Sequence, residues 1–107
     1  MAFIRINAAG SNVIINTNNV TSMEFYEDEY ENWCLEIHFT SNDSDLCYEE
    51  SDFSYDSLLK LFNEIEKILY TNSNPNQDFI ALNVSNDDVV IAKHMNIIMV
   101  LVFVNLL

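Results

Sequence analysis

The sequence predicts an α+β fold, in which an antiparallel β-meander is followed by one amphipathic helix packed on the sheet and by a C-terminal β-hairpin or strand. Apolar and polar residues alternate through the first half of the chain. The apolar spacing then changes to three and four residues after residue 54, and alternation returns after Pro75. The length of 107 residues allows one domain, residues 1–107. Because a chain of this size buries relatively little surface, we expect a thin core organised around a single sheet.

The meander is predicted from five short segments in which alternate residues are apolar. The pattern is clearest in the fourth segment, where Leu35 and Ile37 point inward and Glu36 and His38 point outward. The predicted strands are Phe3–Asn7, Val13–Asn16, Val20–Tyr26, Trp33–Thr40 and Asp45–Glu50. Placing apolar residues opposite one another predicts the register of the last three strands. The predicted pairs are Phe25 with Trp33, Met23 with Leu35, Phe39 with Leu46 and Ile37 with Tyr48.

The helix is predicted from a stripe of apolar residues at helical spacing. These residues are Tyr55, Leu58, Leu59, Phe62, Ile65, Ile68 and Leu69, and Ser54 is the predicted N-cap. Beyond the helix, Phe79–Val84 and Val89–Lys93 predict a hairpin in which Leu82 lies opposite Ile91. The apolar run Ile97–Val104 predicts a buried strand, with a short helix as the alternative. Eight residues are too few to span a membrane.

The charge of the chain is strongly negative and unevenly distributed. Seventeen Asp and Glu stand against four Lys and Arg, for a net charge of −13, and twelve of the acids lie between Glu24 and Asp56. Such a chain lacks the clustered basic residues that bind nucleic-acid phosphates, and anionic membrane surfaces repel it. A basic protein, in particular a nucleic-acid-binding effector, is therefore the expected partner. The N-terminal residues show no signal-peptide pattern, which predicts a cytoplasmic location in the host cell.

His38 and Cys47 are the pair of residues that suggests catalysis, because the predicted register places them opposite each other beside Glu36. An exposed sheet face provides no oxyanion hole, so an enzyme is not predicted. The same register separates Cys34 from Cys47 by about four residues along the strands, too far for a disulfide. The spacing of these side chains also differs from strong zinc motifs, and we expect no metal and no cofactor.

The strongest functional signal is a mixture of acidic and aromatic residues in two stretches, 25–33 and 48–56. Carboxylates spaced along strands and loops imitate the charge of a nucleic-acid backbone, and Tyr26, Tyr30 and Tyr55 add apolar contact area. The predicted contact residues are Glu27, Asp28, Glu29, Tyr30, Glu31, Glu49, Glu50 and Asp52. The alternative is a solvated face that keeps a small protein soluble.

In size, acidity, richness in Asn, Ile and Tyr, and lack of catalytic motifs, the chain resembles the class of small acidic inhibitors encoded by phages and mobile elements. That class includes anti-CRISPR proteins and nucleic-acid mimics, and the segment Glu24–Asp56 carries the resemblance. It implies an inhibitor that blocks the basic nucleic-acid-binding site of a defence or nucleic-acid-processing enzyme by stoichiometric occlusion.

Two other functions are compatible with the same sequence. One is an immunity protein that neutralises a basic toxin, which requires the same electrostatics. The other is a structural or assembly subunit that forms a homodimer or larger homo-oligomer through a strand in Ile97–Leu107.

Overall fold

A computed structural model describes residues 2–8, 10–40, 44–71, 78–85 and 88–96. Within them the chain forms seven strands and one α-helix, which confirms the predicted α+β class. The elements are β1 (Ala2–Ala8), β2 (Ser11–Asn16), β3 (Val20–Glu27), β4 (Trp33–Phe39), β5 (Leu46–Glu49), α1 (Tyr55–Thr71), β6 (Asp78–Val84) and β7 (Val89–Asn96). The predicted strand Ile97–Val104 lies outside the described residues.

The strands form two sheets, so the prediction of a single sheet is wrong. β3, β4 and β5 form one antiparallel sheet in that order, as the meander prediction requires. The other sheet has the order β2-β1-β6-β7 and contains a parallel pair, β1 with β6. The C-terminal hairpin therefore adds to the free edge of β1 rather than to the meander. Local alternation does not reveal this long-range pairing, because it reports only which face of a strand is apolar.

The register of the β3–β4 hairpin differs from the prediction by two residues. Phe25 lies opposite Leu35 rather than Trp33. A shift of two residues keeps every side chain on its predicted face, so alternation alone does not distinguish the two registers. The turn decides between them, because the Asp28 N–H donates to the Asn32 carbonyl (2.9 Å) and extends the ladder into the predicted loop.

The β4–β5 hairpin is also shifted by two residues from the prediction, again with every side chain on its predicted face. Ile37 lies opposite Leu46 rather than Tyr48. The C-terminal hairpin, in contrast, has the predicted pairing of Leu82 with Ile91.

Helix α1 begins where the sequence predicts. The Ser54 hydroxyl accepts a hydrogen bond from the Ser57 N–H (3.1 Å), which confirms the N-cap. The apolar side chains that α1 buries are Leu58, Leu61, Ile65 and Ile68. Leu61 was not in the predicted stripe, whereas Tyr55, which was, is 37% exposed. Within the described residues, no helix is long and apolar enough to cross a membrane.

One hydrophobic core joins both sheets and the helix. β1 contributes Ile4 and Ile6 and β4 contributes Leu35 and Ile37, all of which are fully buried. Because side chains alternate across a strand, covering one face of the β3–β4–β5 sheet leaves its other face to polar side chains.

We predict that Leu61→Ala lowers the free energy of unfolding by about 2–5 kcal/mol, because it removes a fully buried side chain from the centre of the helix–sheet contact. Urea unfolding followed by far-UV circular dichroism measures the change. The control is Asn63→Ala, an exposed position on the same helix, which we expect to change stability by less than about 0.5 kcal/mol. Equal effects of the two substitutions would show that α1 does not bury Leu61.

Candidate functional site

The face of the β3–β4–β5 sheet opposite the core, here called the outer face, carries an array of ionisable side chains. Glu24 lies opposite Glu36, and Tyr26 lies opposite Cys34. Across the other side of β4, Cys47 lies opposite Glu36. The ionisable residues of the outer face are Glu24, Tyr26, Cys34, Glu36, His38, Asp45, Cys47 and Glu49.

Five of these residues form a group that we call the His38 cluster: Glu24, Tyr26, Glu36, His38 and Asp45. The Nδ1 atom of His38 lies 2.8 Å from Oδ2 of Asp45. Its Nε2 atom lies 3.5 Å from a carboxylate oxygen of Glu24 and 3.5 Å from one of Glu36. The Tyr26 hydroxyl donates a hydrogen bond to Glu36. The imidazole is thus surrounded by three carboxylates.

The carboxylates change the ionisation of the other groups in the His38 cluster. The hydrogen bond to Asp45 raises the pKa of His38, partly offset by burial, and the charges of Glu24 and Glu36 raise it further. The hydrogen bond to Glu36 is the main cause of a raised pKa for Tyr26. Tyr26 is therefore a neutral donor, and the imidazole lies in a field that attracts positive charge.

Cys34 and Cys47 form a second group with Glu49. The two Sγ atoms and a carboxylate oxygen of Glu49 all lie within 4.8 Å of one another, so the predicted separation of the two cysteines is wrong. The register shift that brings the cysteines together also places Cys47 opposite Glu36, and the predicted pair of His38 with Cys47 is not formed.

Both cysteines are free thiols, with Cys34 buried and Cys47 exposed. Desolvation and neighbouring negative groups raise the pKa of both thiols, to about 11 for Cys47. A raised pKa keeps a thiol protonated at neutral pH, which makes it a poor nucleophile.

The predicted contact residues lie together at one end of the same sheet, which we call the acidic end (Glu27–Glu31 and Glu49–Asp52). The first segment follows β3 and the second begins at the end of β5. Glu50 joins the two segments through Trp33, because its N–H donates to the Trp33 carbonyl (2.8 Å) and its Oε1 accepts from the Trp33 N–H (3.2 Å).

The predicted contact residues have different roles in this arrangement. Asp28 and Glu50 hydrogen-bond to backbone N–H groups and fix the two segments, while Glu49 lies beside the thiols. The members that are exposed to solvent are Glu27, Glu29, Tyr30, Glu31 and Asp52.

Of the three tyrosines expected to provide contact area, Tyr30 is the one that projects into solvent, with 80% of its surface exposed. The Tyr55 ring instead packs against Phe25 and Trp33, at centroid distances of 5.5 and 5.1 Å. Tyr26 belongs to the His38 cluster. The acidic end therefore presents a single prominent aromatic ring.

The β3–β4 loop owes its shape to Asp28. Its Oδ1 accepts hydrogen bonds from the N–H groups of Tyr30 (2.8 Å) and Asn32 (3.0 Å). These bonds lower the pKa of the Asp28 carboxyl, the one from Asn32 most. Glu31 closes the turn with φ of 60°, a left-handed conformation that is costly for a residue with a side chain.

A groove of about 430 Å³ lies between β3 and the C-terminal half of α1. It is lined by Met23, Phe62 and Leu69, together with Glu66 and several polar side chains. This groove is on the helix side of the sheet and is therefore separate from the outer face.

Comparison of the chain with protein-family models, curated proteins and solved structures found no match.

The His38 cluster was not predicted from the sequence, although the sequence contains part of its signal. Glu24 and Tyr26 alternate on one predicted strand, and Glu36 and His38 alternate on the next, all on the polar face. Only the observed β4–β5 register brings Asp45 to His38, and alternation does not distinguish this register from the predicted one.

We predict that Asp28→Ala destabilises the protein at neutral pH, because two backbone N–H groups of the loop lose their acceptor. Since the pKa of Asp28 is lowered on folding, its charge contributes stability above the pKa of the unfolded chain. That contribution is lost as the pH falls through the lowered value. Thermal unfolding midpoints from pH 7 to pH 3 should therefore converge for the wild type and the variant.

The control for Asp28 is Asp28→Asn, which retains an acceptor oxygen without the titration. It should be less destabilised than Asp28→Ala at neutral pH. If the difference in thermal unfolding midpoint between the wild type and Asp28→Ala increased as the pH fell, the stabilising role assigned to the Asp28 carboxylate would be contradicted.

We predict that Glu31→Gly raises the free energy of unfolding by about 1 kcal/mol, because glycine adopts a positive φ without steric cost. Glu29→Gly is the matched control in the same loop. Since positive φ is not found at residue 29, that substitution should destabilise by increasing the entropy of the unfolded chain. Chemical denaturation of both variants measures whether the free energy of unfolding rises for Glu31→Gly and falls for Glu29→Gly.

Proposed function

We propose that this protein binds a basic nucleic-acid-binding site on a partner protein through its acidic end, and so prevents nucleic acid from occupying that site. The observation that carries the proposal is the exposure to solvent of Glu27, Glu29, Tyr30, Glu31 and Asp52, which all belong to the two segments of the acidic end. Carboxylates in this arrangement offer a basic groove the same sign of charge as phosphates.

The distribution of the basic residues supports the proposal. Lys60 binds Asp88 (2.7 Å), and Lys67 lies 3.6 Å from Glu64, so both neutralise carboxylates outside the acidic end. The sequence from Glu24 to Asp56 contains no Lys or Arg. A strong local negative potential steers a basic partner toward this end and accelerates association.

The rigidity of the acidic end supports the same function. Asp28 fixes one segment and Glu50 ties the other to Trp33, so the exposed carboxylates are held by backbone that is already ordered. A preorganised surface loses less conformational entropy on binding than a flexible tail of the same charge. Tyr30 adds a rigid aromatic contact of the kind that dominates many interfaces.

The test compares the partner affinity of two variants that have the same net charge. One variant has exposed acidic residues neutralised at the acidic end, and the other has its charge changed at a distant site. Glu27→Gln, Glu29→Gln and Asp52→Asn together remove three negative charges, which changes the net charge from −13 to −10. The control, Asn63→Lys with Glu66→Lys, makes the same change on the exposed side of α1. These substitutions leave the hydrogen bonds of Asp28 and Glu50 intact.

The partner is first identified by crosslinking in a lysate of the native cells and then purified. We expect a nucleic-acid-binding protein whose complex with this chain is displaced by duplex or single-stranded nucleic acid. Fluorescence anisotropy should give a dissociation constant at least about tenfold larger for the acidic-end variant and nearly unchanged for the control. Binding should also weaken as salt rises. Equal affinities of the two variants, or a complex that nucleic acid does not displace, would refute the proposal.

A further inference from the structure

We propose that Glu24, Glu36 and His38 bind a Zn²⁺ ion on the outer face of the β3–β4–β5 sheet. This site is distinct from the acidic end and does not depend on the function proposed for it. One imidazole nitrogen and two carboxylates are ligand types that zinc uses in proteins, with a water molecule commonly completing the tetrahedron.

The distances between the three ligand atoms fit this coordination. The Nε2 atom of His38 is 3.5 Å from an oxygen of Glu24 and 3.5 Å from an oxygen of Glu36, and all three ligand atoms lie within 4.8 Å of one another. Zinc–ligand bonds of about 2.0–2.1 Å at tetrahedral angles separate neighbouring ligand atoms by about 3.3–3.4 Å. Both distances from Nε2 are therefore within a few tenths of an ångström of the tetrahedral value, and the two carboxylate oxygens, which lie within 4.8 Å of each other, need to approach by at most about 1.4 Å.

The neighbours of His38 orient it as a ligand. Asp45 accepts the proton of Nδ1 (2.8 Å), which leaves the lone pair of Nε2 directed at Glu24 and Glu36 in the neutral imidazole. Nε2 itself is buried and has no hydrogen-bond partner among the described residues. In zinc sites, the histidine nitrogen that does not bind the metal commonly donates to a carboxylate, which fixes the orientation of the ring.

Glu36 is oriented in a similar way. The Tyr26 hydroxyl donates to Oε1 of Glu36, and Oε2 is the oxygen that faces His38. Glu24 is the most exposed of the three ligands, with 59% of its side chain accessible to solvent. Two of the three ligands are thus held in place before the ion arrives.

The charge balance also favours a divalent cation. Glu24 and Glu36 lie directly opposite each other on neighbouring strands, an arrangement of like charges that destabilises a sheet. Asp45 adds a third negative charge on the other side of the imidazole. A Zn²⁺ ion neutralises two of these charges, whereas a proton on His38 neutralises one.

Cys34, Cys47 and Glu49 are a second set of zinc-ligand types on the same face. The geometry favours the His38 cluster, because Cys34 is already engaged by the Asn32 carbonyl (3.6 Å) and lies beside the Asp28 carboxylate (4.0 Å).

Zinc chloride is titrated into the reduced full-length protein, and binding is followed by isothermal titration calorimetry. We expect saturation at one ion per chain. His38→Gln and Glu36→Gln should each weaken binding by at least about tenfold, and Asp45→Asn, which alters a positioning residue, by about 10–100-fold. The matched controls Glu49→Gln and Cys47→Ser lie on the same face and should bind zinc as the wild type does.

A second measurement does not depend on any variant. In ¹⁵N spectra of the imidazole, added zinc should shift the Nε2 resonance of His38 while the proton remains on Nδ1. The proposal is overturned if zinc does not saturate at one ion per chain or if the His38 resonances do not respond. Loss of binding in Cys47→Ser with retention in His38→Gln would assign the ion to the thiols and overturn it equally.

Discussion

The structure depends on the burial of one face of the β3–β4–β5 sheet. Leu35 and Ile37 are fully buried in a core that includes helix α1, and the alternation of a strand then directs Cys34, Glu36 and His38 to the opposite side. Hydrophobic burial thus sorts the side chains of a short sheet into an apolar layer and an ionisable layer. The His38 cluster and the thiol pair both lie on the second layer, which the core keeps rigid from behind.

The elements of the fold are predictable from sequence because their signals are local. The alternation in β4, the helical spacing in α1 and the Ser54 N-cap each involve residues a few positions apart. Register is less predictable, because period-two alternation is satisfied equally by shifts of two residues. The C-terminal hairpin has the predicted register next to its turn, where Leu82 lies opposite Ile91 and the Ser85 N–H donates to the Asp88 carbonyl (2.8 Å). An irregularity between Ala81 and Leu82 shifts the remaining pairs by one residue from the prediction. The predicted β3–β4 register is wrong because Asp28 closes the turn. The residue composition of the loop does not reveal this role of Asp28.

The same limit applies to the candidate sites. Charge and aromatic content locate the acidic end, but they do not separate residues that project into solvent from those that hold the backbone. Tyr30 and Glu50 are equally plausible contacts in the sequence, yet one is 80% exposed and the other hydrogen-bonds to Trp33. The His38 cluster draws on β3, β4 and the residue preceding β5, so its composition becomes visible only when both hairpin registers are fixed.

The parallel pairing of β1 with β6 has a consequence for the order in which the protein is made. Asn7 and Asn83 are 76 residues apart and hydrogen-bond across this pair. During synthesis, the β1–β2 hairpin leaves the ribosome long before β6 exists, and one edge of β1 then has backbone groups without strand partners. The meander and the helix consist mostly of local contacts, which form faster than pairings between distant residues. The nascent chain therefore passes through a stage in which β1 and β2 have been synthesised but β6, the strand that pairs with the other edge of β1, has not.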